Sequence, residues 1–406
     1  MTPAAPVQPE DLYRRPNALA AEYSKFRVAE RLLLTGHSHQ AWPDRALAGQ
    51  IRAFEDAAEQ VDEKWSRAFA VAGEVARGYA RRMGDDGPDG GTYALAANTH
   101  DLLIRFLSSL PLRGRPRLLT TDGEFHTIRR QLRRLEEDGW VEVERVPAAD
   151  PDALPDLLAQ RVDDRTAAVL VSSVLFRSAR VVRGLGTVAR AAERHGAELL
   201  VDVYHHVNAL PLDLAAEGLG DAYVVGGGYK YCQLGEGNCF LRVPPGRRPR
   251  PVVTGWFAEF EALASAPGGG VAYGPGAGAF AGSTYDPTSH YRAAEVFAFF
   301  DERGMGPELL RRVSQHQLGL LAERFDALDL DPARVSRPAV ALEDLGGFLV
   351  LRTPHAGALY EALKRRGVLT DYRGESLRLG PAPYLDDRQL EDAVGELGEA
   401  ARGLNV

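Results

Sequence analysis

Two kinds of apolar pattern alternate along this chain. Residues 117–120 (RLLT), 167–172 (AAVLVS), 199–201 (LLV) and 222–225 (AYVV) are short, nearly continuous apolar runs. A strand covered on both faces needs no polar alternation, so these runs predict the inner strands of a mostly parallel sheet. Residues 44–82, 291–300 and 306–328 instead place apolar residues three and four apart, the spacing of amphipathic helices. The tail returns to alternation, with 348–352 and Ser376–Leu379 as strands and 360–366 and 387–397 as helices. The expected fold is therefore α/β, with a mostly parallel central sheet and a smaller α+β C-terminal domain. We expect residues 1–43 to pack as an N-terminal segment on the small domain, 44–290 to form the large domain, and 291–406 the small one. Ligands of such sheets sit at the carboxyl ends of the strands, so the polar residues ending each run carry the interest.

Composition narrows the partners. A formal net charge of -8 with no basic stripe argues against nucleic acid. No run reaches the roughly 18 apolar residues of a membrane span, and the start of the chain lacks the apolar core of a signal peptide. The two cysteines, Cys232 and Cys239, suit neither a disulfide framework nor a zinc site, which points to a reducing cytoplasm. His37 and His39 in GHSHQ are too few ligands for a metal, and Gln40 in fifth position breaks the nucleophile-elbow pattern around Ser38.

The chemistry gathers in four places. LLVDVYHH ends an apolar strand in Asp202, either a turn acid or a carboxylate at the mouth of the sheet that needs a cationic partner. GGGYKYCQLGEG sets Tyr229 and Lys230 between glycines directly after a buried strand. A lysine desolvated there would lose its proton and become an imine-forming nucleophile, whereas a solvated one would not. In ALAANTHDLLIRFL, Asn98 and Thr99 open a helix, as a simple cap or as donors to an anion. Phe125 in DGEFHT serves either the core or one face of a planar ring.

In this order, the four blocks resemble the class V aminotransferase group of fold-type I pyridoxal-phosphate enzymes, and within it the kynureninase family, from about Gly36 to Tyr384. The resemblance implies pyridoxal 5'-phosphate as cofactor, carried by Lys230 as a Schiff base. It implies Asp202 on the pyridine nitrogen, His205 beside the cofactor, Tyr229 at the phosphate and in proton transfer, Asn98 and Thr99 at the phosphate, and Phe125 stacked on the ring. GWF looks like the family's tryptophan bordering the phosphate, here Trp256, and FAGST looks like a segment donated across a dimer, ending at Thr284. DYRGESLRLGPAPYL resembles the stretch whose arginine grips the substrate α-carboxylate, which falls on Arg378. His37 and Ser38 occupy the place of the family's glycine-asparagine-serine motif near the substrate, and 283–286 is rearranged and longer.

The activity so implied is hydrolytic Cβ–Cγ cleavage of kynurenine or a related γ-keto amino acid by a homodimer with shared sites. A class V aminotransferase, a β-lyase or desulfurase, an epimerase, and a non-catalytic cofactor-binding protein are the alternatives. A nicotinamide dehydrogenase is disfavoured, because no G-x-G-x-x-G joins a strand to a helix near the start.

Overall fold

A computed structural model describes residues 5–88, 90–263 and 270–404. The first four residues of the expected N-terminal segment lie outside them. In chain order the strands are β1 Leu32–Leu33, β2 Thr92–Ala96, β3 Arg117–Thr121, β4 Glu142–Val146, β5 Thr166–Ser172, β6 Glu198–Asp202, β7 Tyr223–Gly227, β8 Cys239–Val243, β9 Leu349–Arg352, β10 Val368–Leu369, β11 Asp371–Arg373 and β12 Ser376–Leu379. Seven form one sheet in the order β2-β8-β7-β6-β5-β3-β4. Only β8 runs against its neighbours β2 and β7; the other pairings are parallel.

The inner strands show why an unbroken apolar run suits this position. In β5, Val169 and Val171 enter one core while Ala168 and Leu170 enter the other; in β6, Leu199 and Val201 oppose Leu200. Successive residues point to opposite faces, and both faces are covered. Leu102, Leu103, Phe106 and Leu107 of helix Thr99–Ser109 cover the second face, joined by Ile128 and Leu132 of helix His126–Glu137.

A smaller antiparallel sheet, β11-β12-β9, is built from the tail. The N-terminal segment reaches it through β1, which pairs in parallel with β10, and through the hydrogen bond from Gly36 N to Gly380 O. Helix Thr288–Glu302, the start of the tail, packs on helices Ala46–Gln60 and Trp65–Arg82.

The expected single helical stretch 44–82 is two helices, because Val61 adopts φ 52° and breaks the first one. β2, β4 and β8 were not anticipated from the apolar runs. β4 reads EVERV and alternates at the sheet edge, and β2 is half-exposed at the other edge. β8 hides a fully buried Arg242, whose charge is met by Asp85 at 2.7 Å.

Candidate functional site

The four adjacent strands β7, β6, β5 and β3 deliver the site from their carboxyl ends. Lys230 follows β7, Asp202 closes β6, Ser172 closes β5, and Glu124 and Phe125 follow β3. β2 runs the same way and leads into Asn98. These ends enclose a cavity of about 420 Å³ whose wall includes Asn98, Phe125, Asp202, His205, Tyr229 and Lys230. Six of the residues expected at a cofactor are thus brought together, and Thr99 lines the same cavity.

Lys230 is buried, with Nζ 2.8 Å from His205 Nε2 and 4.6 Å from the centre of the Tyr204 ring. Burial pushes its amine down to about 7, with Asp202 pulling upward and Arg378 pressing it down further. Half of such lysines are neutral near pH 7, which is the nucleophilic form. The glycines before it allow this packing. A Cβ at Gly227 would stand 2.4 Å from the Tyr204 hydroxyl, closer than two atoms can approach.

Burial raises the Asp202 carboxyl, while the Tyr204 N–H at 2.8 Å and the Lys230 charge favour its ionised form. His205 is buried, and burial together with Lys230, His37 and Arg378 drives its pKa far down. A neutral imidazole accepting at Nε2 leaves its buried Nδ1 without a partner. Asn98 caps its helix, with Oδ1 accepting the Asp101 N–H at 2.9 Å. Tyr229 lies between the exposed His39, stacked at 4.6 Å, and Tyr204.

Arg378 and His37 stand one layer behind the wall. Arg378 binds Asp371 through Nε at 2.7 Å and through Nη2, and its Nη1 donates to the Phe176 carbonyl at 2.8 Å. Three of five N–H donors are thereby used, leaving one on each terminal nitrogen. His37 Nε2 donates to the same Asp371 at 2.8 Å, and its ring stacks on Phe348. Burial lowers His37 to about 4, so it is a neutral donor. Burial alone would raise Asp371, but the His37 and Arg378 hydrogen bonds outweigh it and hold the carboxyl well below the usual range. Gly380 makes room for this arrangement, since a Cβ there would meet His37 Nδ1 at 2.3 Å.

Ser38 donates no bond into the cavity; its Oγ meets His39 Nδ1 at 3.1 Å. Trp256 and Thr284 are exposed and lie outside the cavity wall of this chain. Glu124 was not singled out from the sequence. It is buried, accepts from the Ser172 and Thr121 hydroxyls at 2.6 Å each, and burial raises it to about 7. The signal was a carboxylate directly before the candidate ring-stacking residue, indistinguishable there from a helix-start acid. Among the described residues, no group of three or more His, Cys, Asp or Glu is placed to hold a metal.

The donor set describes its ligand: a neutral amine for a carbonyl carbon, a carboxylate for a cationic ring nitrogen, an aromatic face for a planar ring, and a helix start for an anion. The family model of the kynureninase C-terminal domain matches residues 310–397. A kynureninase of Xanthomonas oryzae pv. oryzae (strain MAFF 311018) is 27% identical over 322 residues, covering 75% of this chain and 74% of that one. Among solved structures, a C-DES variant with glycine covalently linked to its PLP cofactor superposes with a TM-score of 0.81 at 16% identity, covering 93% of this chain and 98% of that one. The apo cysteine desulfurase of Thermococcus onnurineus NA1 gives 0.77 at 14% identity, covering 99% and 100%.

The chain has the α/β fold of the class V aminotransferase-like, fold-type I enzymes. Within that group its sequence is close to the kynureninases.

Proposed function

We propose that this protein is a pyridoxal-phosphate enzyme that cleaves the Cβ–Cγ bond of a γ-keto α-amino acid, as kynureninases do. The observation that carries the cofactor is Lys230, a buried amine held near neutrality among Asp202, His205 and aromatic rings. The site's unmatched groups fit pyridoxal phosphate. Lys230 would hold its aldehyde carbon, Asp202 its ring nitrogen, Phe125 its face, and Asn98, Thr99 and Tyr229 its phosphate. His205, with a buried Nδ1 unpartnered, would stand beside it. When bound, the cofactor withdraws electrons from the substrate Cα.

The chain's own residues do the rest. Lys230, once released, moves the proton at Cα. Asp202 keeps a positive ring nitrogen favourable. Arg378 offers the two N–H groups left on its terminal nitrogens to the α-carboxylate, and His37 with Asp371 holds it in place. Phe125 and Phe176 wall the cavity against water.

A desulfurase-type reaction would need a thiolate. Cys232 and Cys239 are both buried, and burial pushes each thiol up to about 12, so neither supplies one. That favours carbon–carbon cleavage over sulfur transfer. Trp256 and Thr284, exposed on this chain, suit a homodimer in which they meet the neighbouring site, and two free cysteines suit the cytoplasm. Among the described residues no helix is long and apolar enough to cross a membrane.

The test is a product assay with a cofactor control. Purified protein should take up pyridoxal phosphate and turn yellow, and borohydride trapping should place the adduct on Lys230. Kynurenine and 3-hydroxykynurenine should yield alanine and an anthranilate, while cysteine and cysteine sulfinate yield no sulfur product. Trapping without kynurenine cleavage rejects the reaction and keeps the cofactor; absence of trapping rejects both.

A further inference from the structure

The cavity does not end at Phe125. Through His100 and Thr127, which line both, it continues into an open groove along helix His126–Glu137 that is also lined by His126, Arg129 and Arg130. The two halves of this helix differ in a way that a merely solvated basic face would not. In its last turns every arginine has an acid three or four residues on: Arg133 pairs with Glu136 and Glu137, and Arg134 with Asp138. In the first turn, beside the cavity, Arg129 Nη2 meets only His126 Nδ1, at 3.1 Å. No carboxylate among the described residues pairs with Arg129 or Arg130.

Phe176 ties this rim to the site. Its ring lies 5.3 Å from Phe125 and 5.5 Å from His126, and the guanidinium carbon of Arg177 sits 5.6 Å from it. Its carbonyl accepts from Arg378. Arg177 is exposed and, among the described residues, also lacks a paired carboxylate. Burial lowers the pKa of His126, and the charges that lower it further are the guanidiniums of Arg129, Arg373, Arg177 and Arg378. Arg373 stands 3.6 Å from Asp371, an acid already bound on both sides by His37 and Arg378. The acid of the cavity wall outside the strand ends, Glu236, faces His39 at 3.7 Å on the Tyr229 side.

We infer that, among the α-amino acids this site takes, those bearing a second carboxylate at the far end of the side chain bind more tightly, received at the rim by Arg129 and Arg177. This rests on the reading that the cavity binds an amino acid against Arg378; it adds the chemistry of the distal end. An isolated guanidinium beside a partly enclosed cavity gains from an anion that also displaces loosely held water, and Arg presents a planar fork suited to carboxylate. Arg129 and Arg177 are specificity residues on this account and touch no reacting atom.

Binding rather than turnover tests it. Lys230→Ala protein loaded with pyridoxal phosphate is titrated calorimetrically with L-glutamate against L-glutamine and L-2-aminoadipate against L-norleucine, at low and at raised salt. The acidic member of each pair should bind at least about tenfold more tightly at low salt, less so at high salt. In the Arg129→Gln/Arg177→Gln double variant that ratio should fall to near one, with the affinity for glutamine and norleucine unchanged. Both positions are exposed, so unaltered melting and cofactor uptake establish that the variant folds. Equal affinities before the substitutions, or a preference that survives them, overturn the inference and leave the amino-acid reading intact. Cofactor-loaded protein that binds no member of either pair overturns the inference, and the kynurenine assay then decides the reading on which it rests.

Discussion

Lys230 has lost the hydration that normally keeps a lysine charged, and the nearby carboxylates of Asp202 and Asp371 compensate only in part. Burial lowers its amine to about 7, Asp202 acts upward and Arg378 downward. The sign of each effect gives a direct check. In the cofactor-free protein, reductive alkylation of Lys230 by a small aldehyde, followed by peptide mass, should rise through a midpoint near pH 7, because only the neutral amine reacts. Asp202→Asn removes a group that raises the amine, so its midpoint should move to lower pH. A midpoint above 10, in the ordinary lysine range, would contradict the reading of this site. At this scale much was legible in the sequence. A lysine bracketed by glycines after an apolar strand, and an acid closing the preceding strand, both signal a group at the sheet's mouth. Glu124 and Asp371 were not legible, because an acid's partners decide its role. Those partners, Ser172, His37 and Arg378, come from other strands or from hundreds of residues away.

At the scale of elements, the N-terminal segment and the tail form one piece of machinery. His37 is carried by the turn after β1, Asp371 by β11 and Arg378 by β12, whose antiparallel register sets Asp371 directly opposite Arg378. His37, Asp371 and Arg378 have side chains 0%, 15% and 4% exposed, so Asp371 and Arg378 form a nearly buried charge couple. Removing one partner of such a couple strands the other, at a cost of about 3 kcal/mol or more. Asp371→Asn should therefore lower stability to denaturant by about that amount, whereas Arg373→Gln on the exposed side of the strand should change it by less than about 0.5 kcal/mol. If Asp371→Asn melts like the parent, Arg378 is not held as described. The apolar runs identified the inner strands because burial on both faces leaves no polar position. The same criterion passed over β4, whose edge position tolerates EVERV, and β8, where buried Arg242 is met by the distant Asp85 and by the Gly220 and Ala222 carbonyls. The break near Val61 was equally silent, since a positive φ at a β-branched residue runs against its own preference.

For the whole molecule, the aromatic surface around Trp256 is the feature that one chain leaves uncovered. Phe69, Phe257, Phe260 and Tyr285 line a second hollow of about 530 Å³ that shares Ala97 with the main cavity, and Trp256 lies beside them. Trp256 and Phe260 are 43% and 46% exposed, which is a large apolar area for a soluble monomer to leave in water. The second copy of the chain proposed above would account for it and for the position of Thr284 outside its own cavity. The protein should sediment as a dimer. A glutamate in place of Phe260 would bury a charge at the contact, and loss of one aromatic anchor raises a dimer dissociation constant by about thirtyfold. Analytical ultracentrifugation of Phe260→Glu across a concentration series should resolve that shift, and its cofactor affinity should fall at concentrations where it is monomeric, because the hollow meets the cavity at Ala97, beside the Asn98 proposed to hold the phosphate. A parent protein that is monomeric and fully loaded with cofactor would mean that each site is complete within one chain, and that Trp256 and Thr284 have no part in it.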